Sequence, residues 1–198
     1  MSLYAQLQRR EAEGRPIRIG VIGVGKFGSM YLAQISRTPS VHLVAIADLS
    51  LAATRANLAR VGWNPARTQA DSAEEALKTR NTWITVDWQA ITRNPDIDIG
   101  VECTGNATAA VAHWLDAFAH GKPVVNVTVE AGAFCGPLLA RKAQDASVIY
   151  SLAFGDQPAL MSRWRSQPTR TRCVQRWNRC LHCPMLDAVP RRPPAKAI

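Results

Sequence analysis

The stretch Ile17-Arg18-Ile19-Gly20-Val21-Ile22-Gly23-Val24-Gly25-Lys26-Phe27-Gly28 decides how the rest of the chain is read. It opens as a short apolar run rich in β-branched residues, the composition of a buried strand, and then breaks into glycines spaced G-x-G-x-x-G. From Lys26 to Arg37, Phe27, Met30, Tyr31, Ala33 and Ile35 recur at roughly helical spacing until Thr38-Pro39 stops them. Set between a strand and a helix, each glycine has a mechanical reason. Gly23 permits a tight turn, Gly25 lets a pyrophosphate approach the backbone, and Gly28 lets the helix pack closely on the strand. The free N–H groups at Lys26 and Phe27, with the positive end of their helix, complete an anion site.

Further along, a second strand-like run, Val41 to Ala47, ends at Asp48, 20 residues after Gly28. A carboxylate there accepts hydrogen bonds from the two hydroxyls of an adenosine ribose and repels a 2′-phosphate. Leu49, Ser50 and Leu51 follow, with no Arg to reverse that preference, so NAD is favoured over NADP. The plainer alternative makes Asp48 a helix cap. Beyond it the pattern predicts helices over 51–61, 71–79, 88–92, 107–120 and 137–146, and strands over 83–86, 97–103, 123–129 and 148–154. Six strands alternating with helices require the α/β class: a doubly wound parallel sheet covered on both faces, the Rossmann architecture.

In such a sheet the end of the fourth strand faces the crevice beside the first, where strand order reverses and ligands bind. There stand Glu102-Cys103-Thr104-Gly105-Asn106, with Thr104, Gly105 and Asn106 offering donors, although Asn106 serves equally well as a helix cap. Cys103 is read as a small residue on a buried strand rather than a nucleophile. Glu130, at the end of the fifth strand, either approaches the nicotinamide end of the crevice or is a solvated loop carboxylate. His113 and His120 lie seven apart on a covering helix and read as surface or packing residues.

Composition divides the chain. Of 24 Lys and Arg, nine lie in residues 161–198 against the single acid Asp187, so the formal charge of +9 belongs almost wholly to the tail. That segment holds no glycine, five prolines, Trp164, Trp177, Cys173, Cys180 and Cys183. Residues 1–160 are nearly neutral, and with 47% of the chain hydrophobic they can bury a real core, which excludes wholesale disorder. Cys103 and Cys135 alone make no disulfide framework. Met1 to Pro16 is polar and interrupted by Arg9, Arg10, Glu11 and Glu13, so no signal peptide is read, and no run of 18 apolar residues occurs. A cytoplasmic setting with no membrane partner follows. Interleaved Arg and Trp are raw materials for nucleic-acid binding, but nothing gathers them on one face. Cys180-Leu181-His182-Cys183 has the spacing of half a zinc site and lacks a second spaced pair, so no metal is expected.

With the glycine turn, Glu102 to Asn106, Val125 to Ala131 and Tyr150 to Pro158 in hand, the chain resembles a family. It is similar to the amino-terminal part of the homoserine dehydrogenase-like NAD(P)-dependent oxidoreductases that carry a carboxy-terminal SAF domain, a group that includes deoxyxylulose phosphate reductoisomerase-like enzymes. The resemblance covers about residues 1–160. It implies that Gly23, Gly25, Gly28 and Asp48 hold the adenosine and pyrophosphate while Thr104, Gly105 and Glu130 sit nearer the nicotinamide. It also implies a small hydroxy or carbonyl substrate and homo-oligomeric full-length relatives. Two departures stand out. Gly132 occupies a place where the family has Asp, removing a carboxylate from the rim of the site. After Leu160 the family continues into substrate-binding and SAF domains, whereas this chain continues Met161-Ser162-Arg163-Trp164-Arg165. The expectation is therefore an NAD-binding domain of 1–160 followed by an out-of-frame or disordered tail in place of the substrate and SAF domains, with no catalytic residue assigned and turnover impaired. The alternative is a non-catalytic NAD sensor.

Overall fold

The computed structural model describes residues 3–153, with side chains from Ala5 onward. The expected strand end at Phe154, the Gly155 to Pro158 motif and the whole basic tail, with its cysteines, lie outside the described residues.

Six strands form one sheet in the order β3-β2-β1-β4-β5-β6, every pair parallel. They are β1 (Ile17–Ile22), β2 (Val41–Ala47), β3 (Trp83–Thr85), β4 (Ile99–Glu102), β5 (Val124–Asn126) and β6 (Tyr150–Leu152). The helices are α1 (Leu3–Ala12), α2 (Lys26–Ile35), α3 (Leu51–Arg60), α4 (Ala73–Thr79), α5 (Gln89–Thr92), α6 (Ala107–Ala119) and α7 (Val129–Asp145), with a 3₁₀ turn over Pro65–Thr68. The chain starts at the centre of the sheet with β1, works outward to β3, then crosses to β4 and works outward the other way. This is the doubly wound Rossmann topology, and its switch point lies between β1 and β4.

The central strands are buried on both faces, as their unbroken apolar runs require. On one face Ile19, Val21, Leu43 and Ile46 pack with Leu32 and Ile35 of α2 and Leu58 of α3. On the other, Val44, Ala45 and Ala47 meet Ala73 and Ala76 of α4 and Ile91 of α5. A third cluster joins Val124 to Ala110, Trp114 and Phe118 of α6 and Leu139 and Ala143 of α7. Each fully buried Leu or Ile contributes roughly 1.5–3 kcal/mol.

Several expected boundaries change. The strand expected over 123–129 is only Val124–Asn126, and α7 begins at Val129, eight residues before the expected start at Pro137. The hydroxyl of Thr128 is turned onto Glu102 instead of capping the helix, and the backbone enters α7 directly behind it. Glu130 therefore sits in the first turn of α7, exposed, rather than at a strand end. The strand expected over 97–103 is trimmed to Ile99–Glu102. In α2 the buried face is Gly28, Ser29, Leu32 and Ile35; Phe27 and Met30, expected on the apolar stripe, are exposed. Polar residues near the amino end form α1, where no element was expected; Arg9 pairs with Glu13 across one turn at 2.9 Å. The outer side of α7 exposes Phe134, Leu138 and Val129.

Candidate functional site

The glycine turn lies where β1 gives way to α2, and its three glycines differ in surroundings. Gly23 has a φ of +92°, and a Cβ placed there would lie 2.8 Å from the Cα and N of Thr104. The turn after β1 is thus pressed against the turn after β4, and no side chain fits between them. A Cβ on Gly28 would come within 2.3 Å of the Gly23 carbonyl oxygen, which fixes how closely α2 packs on the turn. Around Gly25, by contrast, a Cβ would meet nothing within 4 Å. Gly25 is the N-cap of α2, and no side chain caps that helix, so its first turn, at Lys26 and Phe27, opens outward. Ser29 ties the turn from inside, its hydroxyl donating to the carbonyls of Gly25 and Lys26 at 2.8 and 3.0 Å.

Asp48 stands at the carboxyl end of β2 and is not a helix cap; Ser50 caps α3, accepting from the Ala53 N–H at 3.2 Å. The Asp48 Oδ2 instead accepts a 2.6 Å hydrogen bond from the backbone N–H of Val24, inside the glycine turn. Asn57 of α3 donates to the carbonyl of Val24 at 2.8 Å, so the turn is held from both sides.

Across the switch point, Thr104, Gly105 and Asn106 are exposed on the same edge of the sheet. Asn106 caps α6 through the N–H of Ala109 at 3.0 Å, the second of its two expected roles. Glu102, which sequence reasoning quoted but gave no role, organises this edge. Only 1% exposed, it accepts hydrogen bonds from the Thr104 N–H at 3.1 Å, the Thr104 hydroxyl and the Thr128 hydroxyl. The Gly105 N–H in turn donates to Thr128 Oγ1 at 3.1 Å. One buried carboxylate thereby binds the loops after β4 and β5. Its signal in the sequence is an acid closing an apolar strand.

His113 is buried beside this carboxylate, Nδ1 lying 3.5 Å from Glu102 Oε1, with its ring 4.7 Å from that of Trp88. It is a packing residue, whereas His120 at the end of α6 is exposed. Burial, and then the charge of Glu102, push the Cys103 thiol up to about 12, so it holds its proton and is no nucleophile at neutral pH. Gly132 does not lie on an open rim. A Cβ there would stand 3.1 Å from Asn126 Nδ2 and 3.3 Å from Leu152 Cδ2, so a side chain at this position would press on β5 and β6. Among the described residues, no group of three or more His, Cys, Asp or Glu is placed to hold a metal ion, and no helix is long and apolar enough to cross a membrane.

Strand, glycine turn, helix and acid, assembled at the switch point of a parallel sheet, define a dinucleotide-binding domain of the oxidoreductase type. The family described as the NAD binding domain of homoserine dehydrogenase matches residues 23–151, more than half of the chain, and the chain belongs to that family. No curated protein matches it. Among solved structures, a homoserine dehydrogenase from Thiobacillus denitrificans aligns with a TM-score of 0.54 and 22% identity, over 69% of this chain and 29% of that one. A myo-inositol dehydrogenase from Lactobacillus casei, solved with NAD(H) and myo-inositol, gives 0.56 and 16%, over 84% and 42%. A biliverdin reductase from a Synechocystis species, solved with biliverdin and NADP+, gives 0.51 and 22%, over 69% and 37%. These likenesses establish the fold. The chain spans 29% to 42% of the length of these three proteins.

Proposed function

We propose that residues 1–160 are the cofactor domain of a homoserine dehydrogenase-like oxidoreductase of the cytoplasm, acting on a small hydroxy or carbonyl compound and favouring NAD over NADP. The observation that carries this reading is the hydrogen bond from Val24 to Asp48, which makes the anion cradle and the ribose-binding acid one unit. When bound, the nicotinamide ring gives or takes a hydride. The residues of the chain bind and orient it. Gly25 leaves room for the pyrophosphate, the uncapped turn at Lys26 and Phe27 meets its charge, and Gly23 and Gly28 keep that turn tight. Asp48 receives the adenosine ribose hydroxyls and opposes a 2′-phosphate. Thr104, Gly105, Asn106 and Glu130 border the nicotinamide side, where Glu102 ties Thr104 to Thr128.

Hydride transfer also needs a carbonyl held against the ring and an acid to protonate its oxygen. We assign no such residue in 1–160, and the glycine-free, Arg-rich composition of 161–198 supports an out-of-frame segment rather than a substrate domain. Full-length relatives are expected to be homo-oligomers. Titrating the purified chain with NADH and NADPH by fluorescence tests the binding: saturation with NADH tighter than NADPH is expected, and no binding of either overturns the reading. Robust NAD-dependent oxidation of homoserine overturns the impairment. Reading the DNA beyond codon 160 in all three frames tests the tail; the absence of any continuation favours a non-catalytic NAD sensor instead.

A further inference from the structure

At the end of the sheet opposite the glycine turn, the chain enters β1 from Pro16 and β2 from Ser40, and beside these entries lies a cavity of about 170 Å³. The Ile17 N–H donates to the Ser40 carbonyl at 2.8 Å, and Ser40 is held at a φ of 58°, a conformation uncommon for a residue with a Cβ. Its side chain is 2% exposed, and its Oγ has no hydrogen-bond partner among the described residues. Trp63, 7% exposed, lines the same cavity, and its indole Nε1 is likewise without a partner among them. Leaving a buried donor unmet costs roughly 1–3 kcal/mol, and both orphans belong to residues that line this cavity.

Two cations line the same space. Arg67 and Arg80 are exposed, and neither has a carboxylate partner among the described residues. The Arg67 guanidinium lies 5.8 Å over the Trp63 ring, which brings positive charge to the unpartnered indole. Glu11 of α1 is the single acid among the lining residues, leaving an excess of one positive charge. From the placing of Ser40 and Trp63, each with an unpartnered donor, and of Arg67 and Arg80 around one cavity, we propose a second ligand site, for a small oxyanion such as a phosphoryl or carboxylate group.

All four groups donate, and guanidinium presents paired donors to such an oxyanion. A water claims about 30 Å³, so the cavity holds one such group with a few waters. The six residues of β1, at about 3.3 Å each, put roughly 20 Å between this site and the glycine turn, so the ligand is not part of the dinucleotide. His42, in β2, senses the same charge. Burial chiefly pushes its imidazole below the usual range, the hydrogen bond to the Asn81 carbonyl opposes this, and Arg80, Arg67 and Arg18 push it lower again.

The test titrates the full chain with inorganic phosphate, and separately with acetate, at constant ionic strength against a chloride control, following the Trp63 indole N–H and His42 resonances by NMR. Trp63→Phe assigns the indole signal. Expected are a saturable Trp63 shift absent in chloride, a rise in the His42 titration midpoint as the anion offsets the arginines, and at least tenfold weaker binding in the Arg67→Gln, Arg80→Gln double variant. Those two side chains are exposed, so the fold is kept. Ser40→Gly keeps the backbone conformation, removes the hydroxyl, and is expected to weaken binding too. The tighter of the two anions identifies the ligand as phosphoryl or carboxylate. No saturation with either, an equal response to chloride, or undiminished binding by the double variant overturns the site and leaves the dinucleotide reading intact.

Discussion

The carboxylate of Asp48 and the backbone of Val24 are joined by a 2.6 Å hydrogen bond that runs from the glycine turn to the end of the neighbouring strand. One oxygen of the carboxylate is thereby oriented by the turn before any ligand arrives, which leaves the other free for ribose hydroxyls. Asp48→Ala removes both contacts. NADH affinity measured by fluorescence is expected to fall at least tenfold, about 1.4 kcal/mol, while the preference for NADH over NADPH narrows.

Gly25 and Gly28 separate binding from folding. A methyl group at Gly25 meets nothing in the protein, so Gly25→Ala is expected to keep the melting temperature within a degree or two and still weaken NADH binding at least tenfold, because the methyl stands where the pyrophosphate approaches. At Gly28 the methyl would lie 2.3 Å from the Gly23 carbonyl oxygen. Gly28→Ala is expected to cost about 1–3 kcal/mol of stability in denaturant unfolding.

Glu102→Gln keeps the volume of the side chain and exchanges one acceptor for a donor in a network where Thr104 and Thr128 already donate. A loss of about 1–3 kcal/mol is expected on thermal or urea unfolding. Since the same carboxylate holds the loops after β4 and β5, NADH affinity should fall with it even at temperatures where the variant is fully folded. Unchanged affinity would remove Glu102 from the positioning of the nicotinamide side.

The buried imidazole of His42 makes stability depend on pH near neutrality. Its folded form resists protonation, so above pH 6.5, the ordinary histidine value, folded and unfolded chains are both neutral there. Below 6.5 only the unfolded chain takes up the proton, and stability falls as pH drops toward the lowered folded value. The melting temperature is expected to decline from pH 7 to pH 5.5, and His42→Gln should flatten that slope.

The centre of the sheet and the glycine turn were legible because each is written locally. A β-branched run marks β1, G-x-G-x-x-G marks the turn, and Asp48 stands at the spacing that a ribose-binding acid requires. What escaped depends on contacts between distant residues. Val124 to Val129 alternates like a strand throughout, and only the engagement of Thr128 by Glu102, 26 positions earlier, shows where the helix takes over. The same distance hid the role of Glu102. Ser40 and Trp63 carry no sequence signal at all, since a hydroxyl and an indole become orphans only through the packing around them.

The position of β1 at the middle of the sheet has a consequence for synthesis on the ribosome. Its partner β4 is made late: the pair that fastens their far ends, Arg18 with Asp98, spans 80 residues. Until β4 emerges, the central strand has one unsatisfied edge, and the glycine turn lacks the Thr104 backbone against which it rests. The cofactor cradle, made before β4, therefore cannot take its final shape until the 80 positions that separate Arg18 from Asp98 have been added to the chain.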